Sequence, residues 1–204
     1  MAADSIIGNM DGRVQLLNDA RVRSKARYVL YWAQVNRRVA FNHGLAYAVE
    51  LANRAGLPVL FYEGLTHDYP HASDRVSEFV ADSAADNARD CARLGIGYRF
   101  YRRRGPKDAN DLIYRLAENA AAIVTDDYPL WPCKRFNATV PAKIGIPYYT
   151  VDSSCVVPMS CFDKREYAAY TIRPKIRKLL PKYLRPFPRI RVRHRLSAKF
   201  PEVG

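Results

Sequence analysis

Ala121-Ala-Ile-Val-Thr-Asp-Asp-Tyr-Pro129 is the stretch that decides the fold. Small and β-branched residues run from 121 to 125 with no charge among them. Two carboxylates and a proline then end the run. A half-buried strand would alternate apolar and polar residues. A continuous apolar run closed by turn residues suits a central strand of a parallel sheet, because helices cover both of its faces.

Similar runs lie on either side. Tyr28-Val-Leu-Tyr-Trp32, Leu57-Pro-Val-Leu-Phe-Tyr62, Gly97-Tyr-Arg-Phe-Tyr101 and Ile146-Pro-Tyr-Tyr-Thr-Val151 read as strands. Pro58 sits at a strand start, where a missing N–H is tolerated. Helical segments alternate with them. Between residues 36 and 54 the apolar positions Val39, Leu45, Ala46, Val49 and Ala52 have helical spacing, and Gly56 supplies a stop. Ser73 is a suitable N-cap with Asp74 in the first turn. The helix it opens carries Phe79, Val80, Ala84, Ala88, Cys91 and Leu94 and stops at Gly95. Residues 108–118 form a third helix, and Pro132 and Pro141 make 130–143 an irregular one. No two-residue turn joins consecutive strands, so parallel pairing through right-handed crossovers is the economical solution.

The expected fold is α/β, a three-layer Rossmann-like sandwich around a five-stranded parallel sheet, spanning residues 27–160. Residues 1–26 read as a loose leader, with one helical turn at Val14 to Leu17. Residues 161–204 read as a helix, Glu166 to Leu180 despite Pro174, followed from Pro181 by an extended basic, Pro-rich arm. Val156 to Ser160 reads as extended chain.

Charge is unevenly distributed. The 204 residues carry a net +13, with 33 Lys and Arg against 20 acids. Residues 173–204 hold 11 of those cations and a single acid, Glu202, so most of the excess lies in the last segment. A polyanion or an acidic partner surface would suit it. Its candidate contacts, to nucleic acid or to a neighbouring domain, are Arg185, Arg189, Arg191, Arg193 and Arg195. No apolar run approaches the roughly 18–20 residues of a membrane span, and no secretory signal opens the chain. Four scattered cysteines without a C-x-x-C pair fit a reducing cytoplasm rather than a disulfide scaffold. His67 and His71 have the spacing of a helical metal pair, but Pro70 between them opposes a helix.

Ligands of open α/β sheets bind outside the carboxyl ends of the strands. The candidate cofactor-binding residues are therefore those that follow the strands: Trp32, Gln34, Arg37, Arg38, Glu63, Asp126, Asp127 and Tyr128. Such a rim stacks a planar ring and hydrogen-bonds its edges. Two alternatives stay open here. Asp126 and Asp127 also suit a helix cap, and Trp32 also suits the core. No catalytic pair emerges. G-x-G-x-x-G, the P-loop and G-x-S-x-G are all absent, which removes the main support for dinucleotide, nucleoside-triphosphate and hydrolase readings.

Four segments carry a resemblance. Tyr31-Trp-Ala-Gln-Val-Asn-Arg-Arg-Val-Ala-Phe-Asn-His-Gly-Leu45 and Val124-Thr-Asp-Asp-Tyr-Pro-Leu130 resemble the first strand and helix and the fourth-strand end of DNA photolyases and cryptochromes. Ile146-Pro-Tyr-Tyr-Thr-Val-Asp152 with Val156-Val-Pro158 resembles the fifth strand and its exit. Lys164-Arg-Glu-Tyr-Ala-Ala-Tyr-Thr-Ile-Arg-Pro-Lys-Ile176 is the most specific and nearly intact, and the Tyr31–Leu45 stretch is most similar to class II cyclobutane pyrimidine dimer photolyases. The resemblance covers about residues 27–188. Phe41 departs from it, since an Asp usually precedes the Asn there.

The resemblance implies an N-terminal α/β domain that can hold an antenna chromophore, a deazaflavin or a folate. In the full-length enzyme a helical domain binds FAD and acts on UV-damaged DNA. This chain is expected to stop short of that FAD-binding domain, its partner, and to be inactive alone. Two other functions compete: a stand-alone nucleotide-binding module, and a nucleic-acid adaptor acting through the basic arm.

Overall fold

A computed structural model of the chain describes residues 10, 12–23, 25–66, 69, 73–187 and 189–196. The elements in order are β1 (Val14–Leu16), β2 (Tyr28–Ala33), α1 (His43–Ala55), β3 (Val59–Thr66), α2 (Asp74–Leu94), β4 (Gly97–Arg103), α3 (Leu112–Ala117), β5 (Ala120–Asp126), α4 (Cys133–Thr139), β6 (Tyr148–Val151) and α5 (Ala169–Tyr183). The sheet order is β1-β6-β5-β2-β3-β4. Every pair is parallel except β1 with β6.

The α/β sandwich and the five parallel strands are as expected, but the sheet has six strands. The extra one comes from the supposed leader. Val14 to Leu16 pair antiparallel with Val151 to Tyr149 instead of forming a helical turn. This three-residue edge strand buries little side-chain surface, so it leaves no period-2 pattern to read. Polar contacts from far along the chain hold it. Asn18 donates from Nδ2 to the carbonyls of Pro141 and Ile146 and accepts from Tyr148 N. The segment 156–160 likewise departs from extended chain, ending in a 3-10 turn at Met159–Cys161.

The helices begin and end as the sequence dictates. The Asn42 side chain accepts from Leu45 N to start α1, and Gly56 ends it at φ 69°. Ser73 and Gly95 do the same for α2. α1 and α2 cover one face of the sheet, over Val29, Tyr31, Phe61 and Val124; α3 and the segment after α4 cover the other, over Leu30, Tyr62 and Ile123. All seven residues of β5 are buried, as a doubly covered strand requires.

The arm is extended, but it runs over its own domain. Phe187, Ile190 and Val192 pack against the α1 face. Asn53 at the end of α1 donates to Arg191 O and accepts from Arg193 N. Leu196 N then bonds to Gly95 O, and its side chain reaches the opposite core.

Candidate functional site

The chain turns from one face of the sheet to the other at β2 and β5. From β2 it passes through α1 and α2 on one face; from β5 it enters α4 on the other. The two strands are neighbours, so the loops leaving their carboxyl ends diverge. A crevice at this place is where ligands of such sheets bind.

The crevice is built on Asp126. Its side chain is buried, and Oδ2 accepts from three successive backbone N–H groups, Gln34 at 3.0 Å, Val35 at 2.7 Å and Asn36 at 2.9 Å. Oδ1 accepts from Tyr31 Oη at 3.1 Å and Asn36 Nδ2 at 3.2 Å. Asp126 thus fastens the loop after β2 to the end of β5. Burial, and then the Asp126 charge, hold the Tyr31 hydroxyl well above its usual pKa.

Beside this staple lies a cavity of about 470 Å³. Trp32, Tyr62, Tyr69, Tyr101, Trp131 and Phe136 give it aromatic walls, and its charged lining residues are Arg37, Arg103, Arg135 and Lys143. No acid lines it among the described residues. The Trp32 and Phe136 rings stand 5.4 Å apart and tilted, with Tyr69 edge-on to Trp131 at 5.5 Å. Gln34 sits at the junction. Its Nε2 donates to Thr125 Oγ1 and Asn137 Oδ1, while its buried Oε1 has no hydrogen-bond partner. A buried acceptor left unsatisfied is costly to the fold.

Three predicted residues, Trp32, Gln34 and Arg37, line the cavity together. Glu63 lies fully buried next to it, accepting from Asn87 Nδ2 at 2.8 Å and Tyr98 Oη at 3.0 Å and pairing with Arg37 at 3.5 Å. It fixes Arg37, whose Nη2 also donates to Gly64 O. Burial and the Glu63 charge raise the Tyr98 pKa.

The other candidates lie elsewhere. Asp126 spends its oxygens on the 34–36 loop. Arg38 turns to the α1 side and donates to Asn36 Oδ1 and to the carbonyls of Phe41 and Ser153. Asp127 and Tyr128 are half-buried outside the lining. Burial, and then Asp152, raise the Asp127 pKa. Arg185, Arg189, Arg191, Arg193 and Arg195 are exposed along the arm.

The aromatic wall contributed by Tyr62, Tyr101, Trp131 and Phe136 was missed. A sequence signal existed: Trp131 and Phe136 follow the end of the same strand, five and ten residues after Asp126. His67, Pro70 and His71 lie outside the described residues. Among the described residues no cluster of His, Cys, Asp and Glu could hold a metal ion, and no helix is long and apolar enough to cross a membrane. Cys91, Cys133, Cys155 and Cys161 are all free thiols.

Residues 29–192 match the DNA photolyase family. The chain is 33% identical over 175 residues to the deoxyribodipyrimidine photo-lyase of Methanothermobacter thermautotrophicus, covering 85% of this chain and 38% of that protein. With the deoxyribodipyrimidine photo-lyase of Arabidopsis thaliana it shares 34% identity over 167 residues, 79% of this chain and 33% of the plant protein. Among solved structures it is similar to the universal stress protein of Archaeoglobus fulgidus, at TM-score 0.44 and 17% identity, over 61% of this chain and 98% of that one. The chain spans about a third of the length of the curated relatives it matches. By its sequence, this chain belongs to the DNA photolyase family.

Proposed function

We propose that this chain is the pigment-holding lobe of a light-driven lyase that repairs pyrimidine dimers in DNA. The observation that carries the pigment assignment is the cavity at the β2–β5 crevice, walled by aromatic rings and, among the described residues, charged only by cations. Aromatic walls suit a planar ring, and four cations without an acid suit an anionic ligand. The unpartnered Gln34 Oε1 suits a ring N–H. A deazaflavin or a folate has all three properties. Trp32 would face the ring, Gln34 would take its N–H, and Arg37, Arg103, Arg135 and Lys143 would hold its negative charge. Such a pigment absorbs light and passes the excitation on; the residues here bind and orient it.

Repair itself belongs to a helical FAD domain and its damaged-DNA substrate, both proposed from family membership. The helix α5 supports that division. None of its 15 residues is buried, and it overlaps residues 164–176, the segment whose resemblance to photolyases is most specific. The function is proposed to operate in the cytoplasm.

Both tryptophans of the chain, Trp32 and Trp131, line the cavity. Titration with a deazaflavin and with a reduced folate therefore has an intrinsic reporter. Saturable quenching of tryptophan fluorescence by one of them, weakened about tenfold in Arg37→Ala, is the expected result. Quenching that rises linearly with both pigments contradicts the assignment.

A further inference from the structure

The carboxyl rim of the sheet carries a second cavity, of about 450 Å³, on the α1 side. Arg13, just before β1, and His43, the first residue of α1, line one part of it. The end of α5 and the start of the arm, with Lys182, Arg185 and Phe187, line another. It shares no lining residue with the aromatic cavity at the β2–β5 crevice.

Its electrostatics are one-sided. Arg13 is only 2% exposed, and its guanidinium donates to three backbone carbonyls, Asp152 O, Cys155 O and Val156 O. Asp152, whose charge Arg13 feels, spends its carboxylate on the N–H groups of Ser154, Cys155 and Met159. The Nε of Arg13 has no hydrogen-bond partner, and neither does the buried Nδ1 of His43. Lys182 and Arg185 add charge from the arm side, and among the described residues no acid lines the cavity. The amino end of α1, a 13-residue helix, adds the positive end of its dipole.

The remaining wall is aromatic and held ready. Phe41 is 71% exposed and adopts φ 52°, a left-handed conformation rare for a residue with a bulky side chain. Arg38 Nη2 holds its carbonyl at 3.2 Å. Its ring stands edge-on to Phe187 at 5.9 Å, and Phe187 also tilts against His43 at 5.0 Å.

We propose that this cavity binds a small oxyanion carried on an aromatic ring, an aryl phosphate or aryl carboxylate, with the anion among Arg13, His43 and Arg185 and the ring against Phe41 and Phe187. An anion there would offset the buried Arg13 charge. It would also oppose what now keeps His43 neutral. Burial first, then the charges of Arg13 and Arg38, lower the His43 pKa to about 4. Lys182, Arg185 and the Tyr183 phenol line the same cavity.

The test is an NMR titration of the whole labelled chain with phenyl phosphate, benzoate and inorganic phosphate in separate arms, against sodium chloride of equal ionic strength. The His43 imidazole and the Gly44 amide are expected to shift saturably with phenyl phosphate or benzoate. The tighter of the two names the anion, and it is expected to bind about tenfold more tightly than inorganic phosphate because of the ring. The His43 titration moves upward in the bound form. Arg185→Ala, at an exposed position, weakens binding by about fivefold or more, and His43→Gln weakens it too. Phe187→Ala abolishes the advantage of the ring. Shifts that do not saturate, that sodium chloride reproduces, that Arg185→Ala leaves unchanged, or that fall on the Trp32 indole instead would overturn the proposal.

Discussion

Asp126 shows how one side chain sets the shape of the rim. Its five accepted hydrogen bonds tie the end of β5 to β2 and its following loop, across 90 to 95 residues of sequence. Asp126→Asn would turn an amide N–H toward groups that are themselves donors. Each buried group left unpaired costs about 1–3 kcal/mol. We predict a loss of about 3 kcal/mol in urea unfolding, and a loss below about 1 kcal/mol would show that the staple is weak. From sequence the residue suited either a ligand contact or a helix cap. Its true role depends on β2 lying beside β5, which no local pattern states. His43 makes a pH prediction. Its pKa falls from 6.5 in the unfolded chain to about 4 in the fold. Between those values the unfolded state binds more protons, so stability rises with pH there. The His43 contribution is complete above about pH 6.5 and is lost as pH falls through about 4. Urea midpoints at pH 7 and pH 4.5 should fall less in His43→Gln than in the parent chain. Equal falls would contradict the assignment.

At the level of elements, legibility followed burial. β5, β2 and β3 are buried along most of their length, so their apolar runs announced them. β1 is a three-residue edge strand held by Asn18 and by its register with β6, and it announced nothing. The arm was legible in composition but not in placement. Its exposed arginines alternate with Ile190 and Val192, and those two side chains pack on the α1 face. Two glycines seat its end. A Cβ on Gly95, which has φ 79°, would lie 2.6 Å from Arg195 Cγ, and one on Gly97 would run into Leu196 Cδ2. Gly95→Ala should therefore cost about 1 kcal/mol through its left-handed backbone and also lift the arm. Trypsin cleavage after Arg189 to Arg195 should then accelerate several-fold. An unchanged cleavage rate would mean that the arm is not held at this end.

Across the whole molecule, the sheet places two cationic cavities at one rim, separated by the strand pair that Asp126 fastens. A ligand rim at the carboxyl ends of the strands was expected from the α/β order alone; of the residues named for it, Trp32, Gln34 and Arg37 line the crevice. The far wall was not read in advance, because Tyr62, Tyr101 and Phe136 meet there only once β3, β4 and α4 are in place. The central proposal is that the aromatic cavity holds a pigment, and its most direct measurement is pigment retention. The chain is mixed with a deazaflavin or a reduced folate, passed through gel filtration, and its absorption spectrum recorded. The account predicts near-equimolar near-ultraviolet to blue absorbance eluting with the protein, and its loss in Trp32→Ala. Colourless protein with either pigment, or colour that survives Trp32→Ala together with Arg37→Ala, would contradict it.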